Sequence, residues 1–273
     1  MLLALLMVGC AGPAPVPVLQ VGATADPQAL VLAHVYAAAL RQAGGAAEVV
    51  VADDPLAGLD SGAIAVVPGF TGRLLRTFQP ADSTAPARSP KQVYRAMVAA
   101  LPEGLAAGDY ATAAQDKPAV AVTAATADAW GGPDLRLLPR HCRGLVAGAV
   151  AGDRVPEKVG SCRPAVREFP DTATQFAALR DGRIGAAWTS TAAPELPSGA
   201  VQLVDDQPAL VQAENVVPVY RRGALTEPQL VSLNEVAGVL DTAALAEMHG
   251  RVEHGADPAE VVDAWLAENP LRR

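Results

Sequence analysis

The sequence predicts an α/β protein of two lobes, each a mostly parallel sheet flanked by helices, with the chain crossing between the lobes twice. Three observations carry that expectation. Strand-like and helix-like segments alternate from Val16 to Leu101, the pattern of a sheet with helices on its faces. The middle of the chain is a different kind of sequence, rich in Gly and Pro, and it holds Cys142 and Cys162. From Thr226 onward come three well-capped helices in a row. A chain that leaves the first lobe near residue 118 and returns to it within Leu203–Arg222 accounts for all three.

In order along the chain, Val16–Val21 reads as a strand that runs into Gly22-Ala23-Thr24-Ala25. Asp26 is a good N-cap, and Pro27 a good first helical residue because its φ is preset and it loses no hydrogen bond there. Leu32, Val35, Tyr36 and Leu40 share one helix face, and Gly44-Gly45 ends the helix. Glu48–Val51 and Ala63–Val67 read as strands with a short helix between them. Phe70 falls in a loop just past a strand end, and Thr77–Arg88 reads as a polar loop. Ser89-Pro90 starts a helix that Pro102 stops. In the middle region, strands are expected at Ala119–Thr123, Leu135–Leu138, Arg183–Thr189 and Val201–Val204, with a helix capped by Asp171. In the tail, Thr226 and Gln229 have capping-box spacing, and Asp241 and Asp257 cap the two helices that follow.

Composition narrows function. The chain has 273 residues, 51 % hydrophobic and 18 % charged, enough to bury real cores. Aromatic residues are only 4 %, so a cleft has few rings to line it. The formal net charge of −8 argues against nucleic acid, whose phosphates call for a basic face. Nothing in the sequence spells a nucleophile elbow, a zinc-protease helix or a phosphate loop. His249 and His254 are badly spaced for one helix face, His34 reads as solvated, and no metal or other cofactor is expected.

The first nine residues are apolar, Gly9 precedes Cys10, and AGPAPVP follows. This resembles the end of a signal peptide with a lipidated cysteine, although no Lys or Arg precedes Arg41. Residues 1–16 are therefore expected to be signal, anchor and tether, which would hold the mature protein on the outer face of a membrane. In such an exported chain Cys142 and Cys162 are expected to pair.

Binding is the better-supported chemistry. The Gly22–Asp26 loop opens on a helix N-terminus, but Asp26 as cap competes with an anion there. The positive partner is instead expected in the second lobe, from Arg140, Arg143 or Arg163. Phe70, Tyr110 and Trp188 are the candidate rings for a quaternary ammonium, which offers no N–H and is recognised by ring faces and a carboxylate.

Four segments together resemble one known family: Gln212–Arg222, Leu240–Asn269, Asp116–Thr123 and Phe70-Thr71-Gly72. Over about residues 17–271 the chain is similar to the substrate-binding lipoproteins of ABC importers for glycine betaine, choline and related osmoprotectants. The resemblance implies a type II periplasmic-binding-protein fold that closes on its ligand, acting as a monomer beside a membrane permease. It implies lobes of 17–117 plus 216–273 and of 118–215. Together with the residue readings, Arg140 as the cation and Asn215 at the return crossing, it gives an expected ligand site of Thr24, Phe70, Thr71, Asp116, Arg140, Trp188, Thr189, Ser190 and Asn215. The binding loops depart from the family pattern. Thr24 stands where the family has lysine, Phe70 replaces a tyrosine, Pro118 replaces an aromatic, and Ser190 takes a ring position with Trp188 two residues before it. The alternatives are a binding protein for another small polar solute, or an envelope scaffold that has lost transport.

Overall fold

The architecture is that of a computed structural model, which describes residues 18–79, 88–153, 155–194, 196–204 and 209–271. Cys10 and the acidic turn Asp205-Asp206-Gln207-Pro208 lie outside the described residues.

The elements are β1 (Leu19–Ala23), α1 (Pro27–Gln42), β2 (Ala47–Val51), α2 (Pro55–Ser61), β3 (Val66–Phe70), α3 (Thr71–Phe78), α4 (Pro90–Ala100) and β4 (Leu105–Ala107). There follow β5 (Pro118–Thr123), α5 (Ala124–Trp130), a 3-10 helix at Leu135–His141, β6 (Val146–Val150), β7 (Ala165–Phe169), α6 (Thr172–Arg180), β8 (Ala186–Ser190) and β9 (Ala200–Gln202). The chain ends with β10 (Val216–Arg221), α7 (Glu227–Val239), α8 (Thr242–Glu253) and α9 (Pro258–Glu268).

These strands make two sheets, ordered β2-β1-β3-β10-β4 and β7-β6-β8-β5-β9. In each, two pairings are parallel, and the strand that enters at a crossing, β10 or β5, runs antiparallel to both neighbours. The first sheet therefore contains both early strands and the late strand β10, so its core closes only when the tail returns. Helix α1 sits at its centre. The Asp26 carboxylate accepts from the Ala29 N–H at 3.0 Å, and Val31, Leu32, Val35, Tyr36 and Leu40 are fully or almost fully buried. Their partners are the sheet and the tail helices α7, α8 and α9, all of which pack on α1. The tail helices start as their caps predict: Asp241 accepts from Ala244 N–H, Asp257 from Ala259 and Glu260 N–H, and Thr226 with Gln229 forms a capping box.

The crossings run side by side. Gln115 and Asn215 form an antiparallel bridge, Asp116 N–H donates to the Glu214 carbonyl at 2.8 Å, and Val216 N–H to Ala114 at 3.1 Å. The returning chain changes cores within two residues: Val211 is buried in the second sheet's core and Ala213 in the first's.

Several local expectations need correction. Leu135–Leu138 is not a strand. Asp134 accepts from Arg136 N–H at 2.8 Å and starts a 3-10 helix, whose i, i+3 geometry buries Leu135 and Leu138 together. The loop expected at Phe70 does not exist, because β3 runs straight into α3, which also takes Thr77 and Phe78. Strands β4, β6 and β7 and helix α5 were not expected; β6 (VAGAV) is built of small residues and β7 is an edge strand with an exposed face. His34 is partly buried, and loss of water holds its imidazole below the usual range.

Cys142 and Cys162 form a disulfide, with the Cys162 side of it in the second core. It closes a loop with a sequence separation of 20. Replacing both cysteines by alanine is expected to cost about 3 kcal/mol, chiefly by enlarging the unfolded ensemble. Urea denaturation of the two proteins measures this.

Candidate functional site

The site forms where α3 meets the two crossings. Helix α3 has no side-chain cap of its own. Its first N–H groups are satisfied by the returning chain instead: Thr71 N–H donates to the Asn215 carbonyl at 2.9 Å, and Arg73 N–H to the Glu214 carboxylate at 2.7 Å. Glu214 thus caps a helix from 141 residues away. Gly72 makes this possible. A Cβ there would lie 2.6 Å from Glu214 Oε1 and 2.8 Å from the Ala213 carbonyl, closer than real contacts allow.

Two arginines, one helical turn apart, tie α3 to the crossings. Arg73 Nη2 donates to Asp116 Oδ2 at 2.5 Å on the outgoing strand. Arg76 donates to Glu214 Oε1 at 2.7 Å and Gln212 Oε1 at 2.6 Å on the returning one. Both carboxylates are buried, while both arginine side chains remain about half exposed, at 50 % and 52 %. The guanidinium of Arg73 also lies over the Phe70 ring, 4.4 Å from its centroid.

Arg73, Arg76, Asp116 and Glu214 line one wall of a cavity of about 820 Å³ between the two sheets' domains, and His249 and Glu253 of α8 extend that wall. Across from it stand Asp153, Gln175, Phe176, Trp188, Thr189 and Ser190. Gln175 is 1 % exposed and fastens this second wall by donating to the Gly148 and Trp188 carbonyls. Past Ser190 the chain turns back onto the first crossing. Lys117 N–H donates to Thr191 Oγ1 at 3.0 Å, and Ala192 N–H to Asp116 Oδ1 at 3.3 Å. Asp116 therefore takes a bond from each wall.

The cavity holds both signs of charge. The arginines neutralise Asp116 and Glu214. Asp153 and Glu253 form no ion pair among the described residues. Loss of water pushes the Asp153 carboxyl above its ordinary range. Two buried nitrogens of the lining have no hydrogen-bond partner among the described residues, Trp188 Nε1 and His249 Nδ1.

Burial also pushes the Glu214 carboxyl above its ordinary range, and Arg76 and Arg73 pull it back only in part. The sign is therefore unusual for a paired carboxylate. The folded protein holds this proton more tightly than the unfolded chain, so the stabilising contribution is complete below the unfolded value and is lost as pH rises through the folded one. Urea titrations of wild type and Glu214→Gln should show the wild type losing stability relative to the variant as pH rises above the ordinary carboxylate range. A difference that grows in the opposite direction contradicts this electrostatic assignment.

A sequence profile described as the substrate binding domain of an ABC-type glycine betaine transport system matches residues 17–142 and 156–268. The chain belongs to this family. It is a family of transport proteins, not of enzymes. Solved structures share the fold of this binding domain. One is described as a glycine betaine/carnitine/choline ABC transporter, with a TM-score of 0.72 at 16 % identity over 92 % of this chain and 98 % of its own. Another is apo YehZ from Escherichia coli, with 0.71 at 20 % identity over 93 % and 99 %. A choline-binding protein of an ABC transporter, solved with choline, gives 0.53 at 15 % identity over 93 % and 89 %. No protein of curated function matches the chain significantly. The binding domain is thus two lobes of the periplasmic-binding type, each with a five-stranded sheet.

Measured against this cavity, the residues expected at the site separate. Asp116, Trp188, Thr189 and Ser190 line it. Phe70 does not: it is 5 % exposed, packs in the first core, and has Arg73 over its ring. Thr71 and Asn215 are fully or almost fully buried and bond to each other's backbone or side chain, which makes them part of the crossing. The Asn215 side-chain N–H groups donate to the Ala111 and Thr112 carbonyls, while its Oδ1 is buried with no partner among the described residues. Thr24 is outside the lining, and Arg140 is exposed on the 3-10 helix, also outside it. The cation expected from the second lobe stands in the first, on Arg73 and Arg76. Phe70, Arg73 and Arg76 follow i, i+3, i+6, one helical stripe, and that spacing is a signal the reading of Phe70 as a loop concealed.

Proposed function

We propose that this binding domain is the extracytoplasmic receptor of an ABC importer and captures a small zwitterion, glycine betaine first among them. The lobes are 17–117 plus 216–273 and 118–215, and they close by bending at the paired crossings. Lipidation of Cys10 tethers the protein beside its permease. There is no chemistry: the ligand contacts both walls, favours the closed arrangement, and the closed form docks on the permease.

The observation that carries this reading is the pairing of charges across one interlobe cavity. Arg73 and Arg76 keep half their surface open after pairing, and guanidinium has more N–H groups than one carboxylate uses. Those groups suit the ligand's carboxylate. On the opposite wall Asp153 and the Trp188 ring suit a positive end. A second reading, another zwitterion such as an amino acid, is favoured by the shortage of rings: Trp188 and Phe176 are the aromatic carbocycles in the lining.

A thermal-shift screen tests the proposal. A ligand that binds only the folded state raises the melting temperature by mass action. Glycine betaine or another zwitterion is expected to raise it in a concentration-dependent way. A panel of betaines and amino acids with no effect on melting overturns the reading.

A further inference from the structure

We infer that Arg73 is a specificity-determining residue: a cation built into the chain that occupies the ring-and-carboxylate pair a cationic solute would otherwise use. This deepens the proposed function and rests on it for the location of the ligand.

A quaternary ammonium needs a ring face to lie against and a carboxylate nearby, since it donates no hydrogen bond. The first wall contains both. The Phe70 ring and the Asp116 carboxylate flank one position, and the Arg73 guanidinium fills it, 4.4 Å above the ring and 2.5 Å from the carboxylate. Arg73 lines the cavity and Phe70 does not, so the guanidinium stands between the ring and the solute. It is held there on further sides. Its Nη1 donates to Gln28 Oε1 at 3.5 Å, and its backbone N–H is fixed by Glu214. Gln28 is itself buried, at the start of α1.

Two consequences follow for the ligand. A cation without an anionic end, such as choline, finds the ring face covered and the carboxylate already paired, with a guanidinium standing where it would have to sit. A zwitterion meets the same guanidinium with its carboxylate and gains from it. Arg73 thus sorts solutes by the presence of a negative group, through a contact made entirely within the chain.

The test is calorimetric titration of choline into wild type, Arg73→Ala and Arg73→Gln. Removing the guanidinium opens the Phe70 face and unmasks Asp116. Alanine leaves that buried carboxylate with only the Ala192 N–H among the described residues, which burdens folding; glutamine keeps a neutral donor beside it, so one variant serves if the other does not fold. Both folded variants are expected to bind choline about tenfold or more tightly than wild type, the scale of one desolvated ring contact. Folded variants that bind choline no better than wild type overturn the inference, whatever the natural ligand. A wild type without affinity for any zwitterion overturns the proposed function instead, and leaves the choline comparison standing.

Discussion

Phe70→Ala is expected to lower the stability of the protein by about 3–5 kcal/mol, the range for deleting a buried ring and leaving part of its cavity. Phe70 is 5 % exposed at the end of β3, within the core that also holds Val66 and Val216, and Val216 is its strand partner on β10. Two further losses add to the cavity. The residue is the N-cap position of α3, and its ring carries the Arg73 guanidinium. Truncation loosens the helix start and the arginine together, so the effect spreads to the crossings. Urea denaturation with linear extrapolation measures it. A loss below about 1 kcal/mol is what a cleft-lining ring would give, and it contradicts the burial of Phe70.

Trp188→Ala is expected to cost a similar 3–5 kcal/mol and to remove ligand binding as well. Trp188 is 3 % exposed, faces Val120 across the β5–β8 pairing, and belongs to the second core while reaching the cavity. Trp188→Phe separates the two roles. It keeps an apolar ring and deletes an indole N–H that has no partner among the described residues. A buried donor without a partner costs about 1–3 kcal/mol, so losing it offsets some of the lost volume. Trp188→Phe is expected to destabilise clearly less than alanine. If the two variants destabilise equally, the packing assigned to the ring is wrong.

The fold was legible in the sequence wherever the signal is local. Caps at Asp26, Asp171, Asp241 and Asp257, the prolines that follow Asp26 and Asp257, and the alternation of elements are short-range chemistry. They specify helix starts without reference to the rest of the chain. What was not legible depends on distant partners. Helix α3 has no cap in its own sequence because Glu214 and Asn215 supply it from the returning crossing. The 3-10 helix at Leu135–His141 and the strand at β6 are short apolar runs, for which periodicity does not discriminate between helix and strand.

The candidate site shows the same division. Asp116, Trp188, Thr189 and Ser190 sit at strand ends or crossings that pattern alone located, and they line the cavity. Arg73 and Arg76 carry no local signal of their role, because it depends on α3, and α3 depends on Glu214, far along the chain. Arg140 lies in a basic, loop-rich stretch that suggests an anion partner, yet the 3-10 helix carries it outward. Acidic partners, more than arginines, mark the site: Asp116 and Glu214 are the buried carboxylates on the two crossings, and each holds its arginine in place.

Calorimetric titration of glycine betaine into the wild-type protein tests the central claim most directly. The paired charges of the interlobe cavity predict saturable heat with one site per chain. No heat with glycine betaine, carnitine or any amino-acid zwitterion would contradict capture of a zwitterion in this cleft, while leaving the two-lobed fold as it stands.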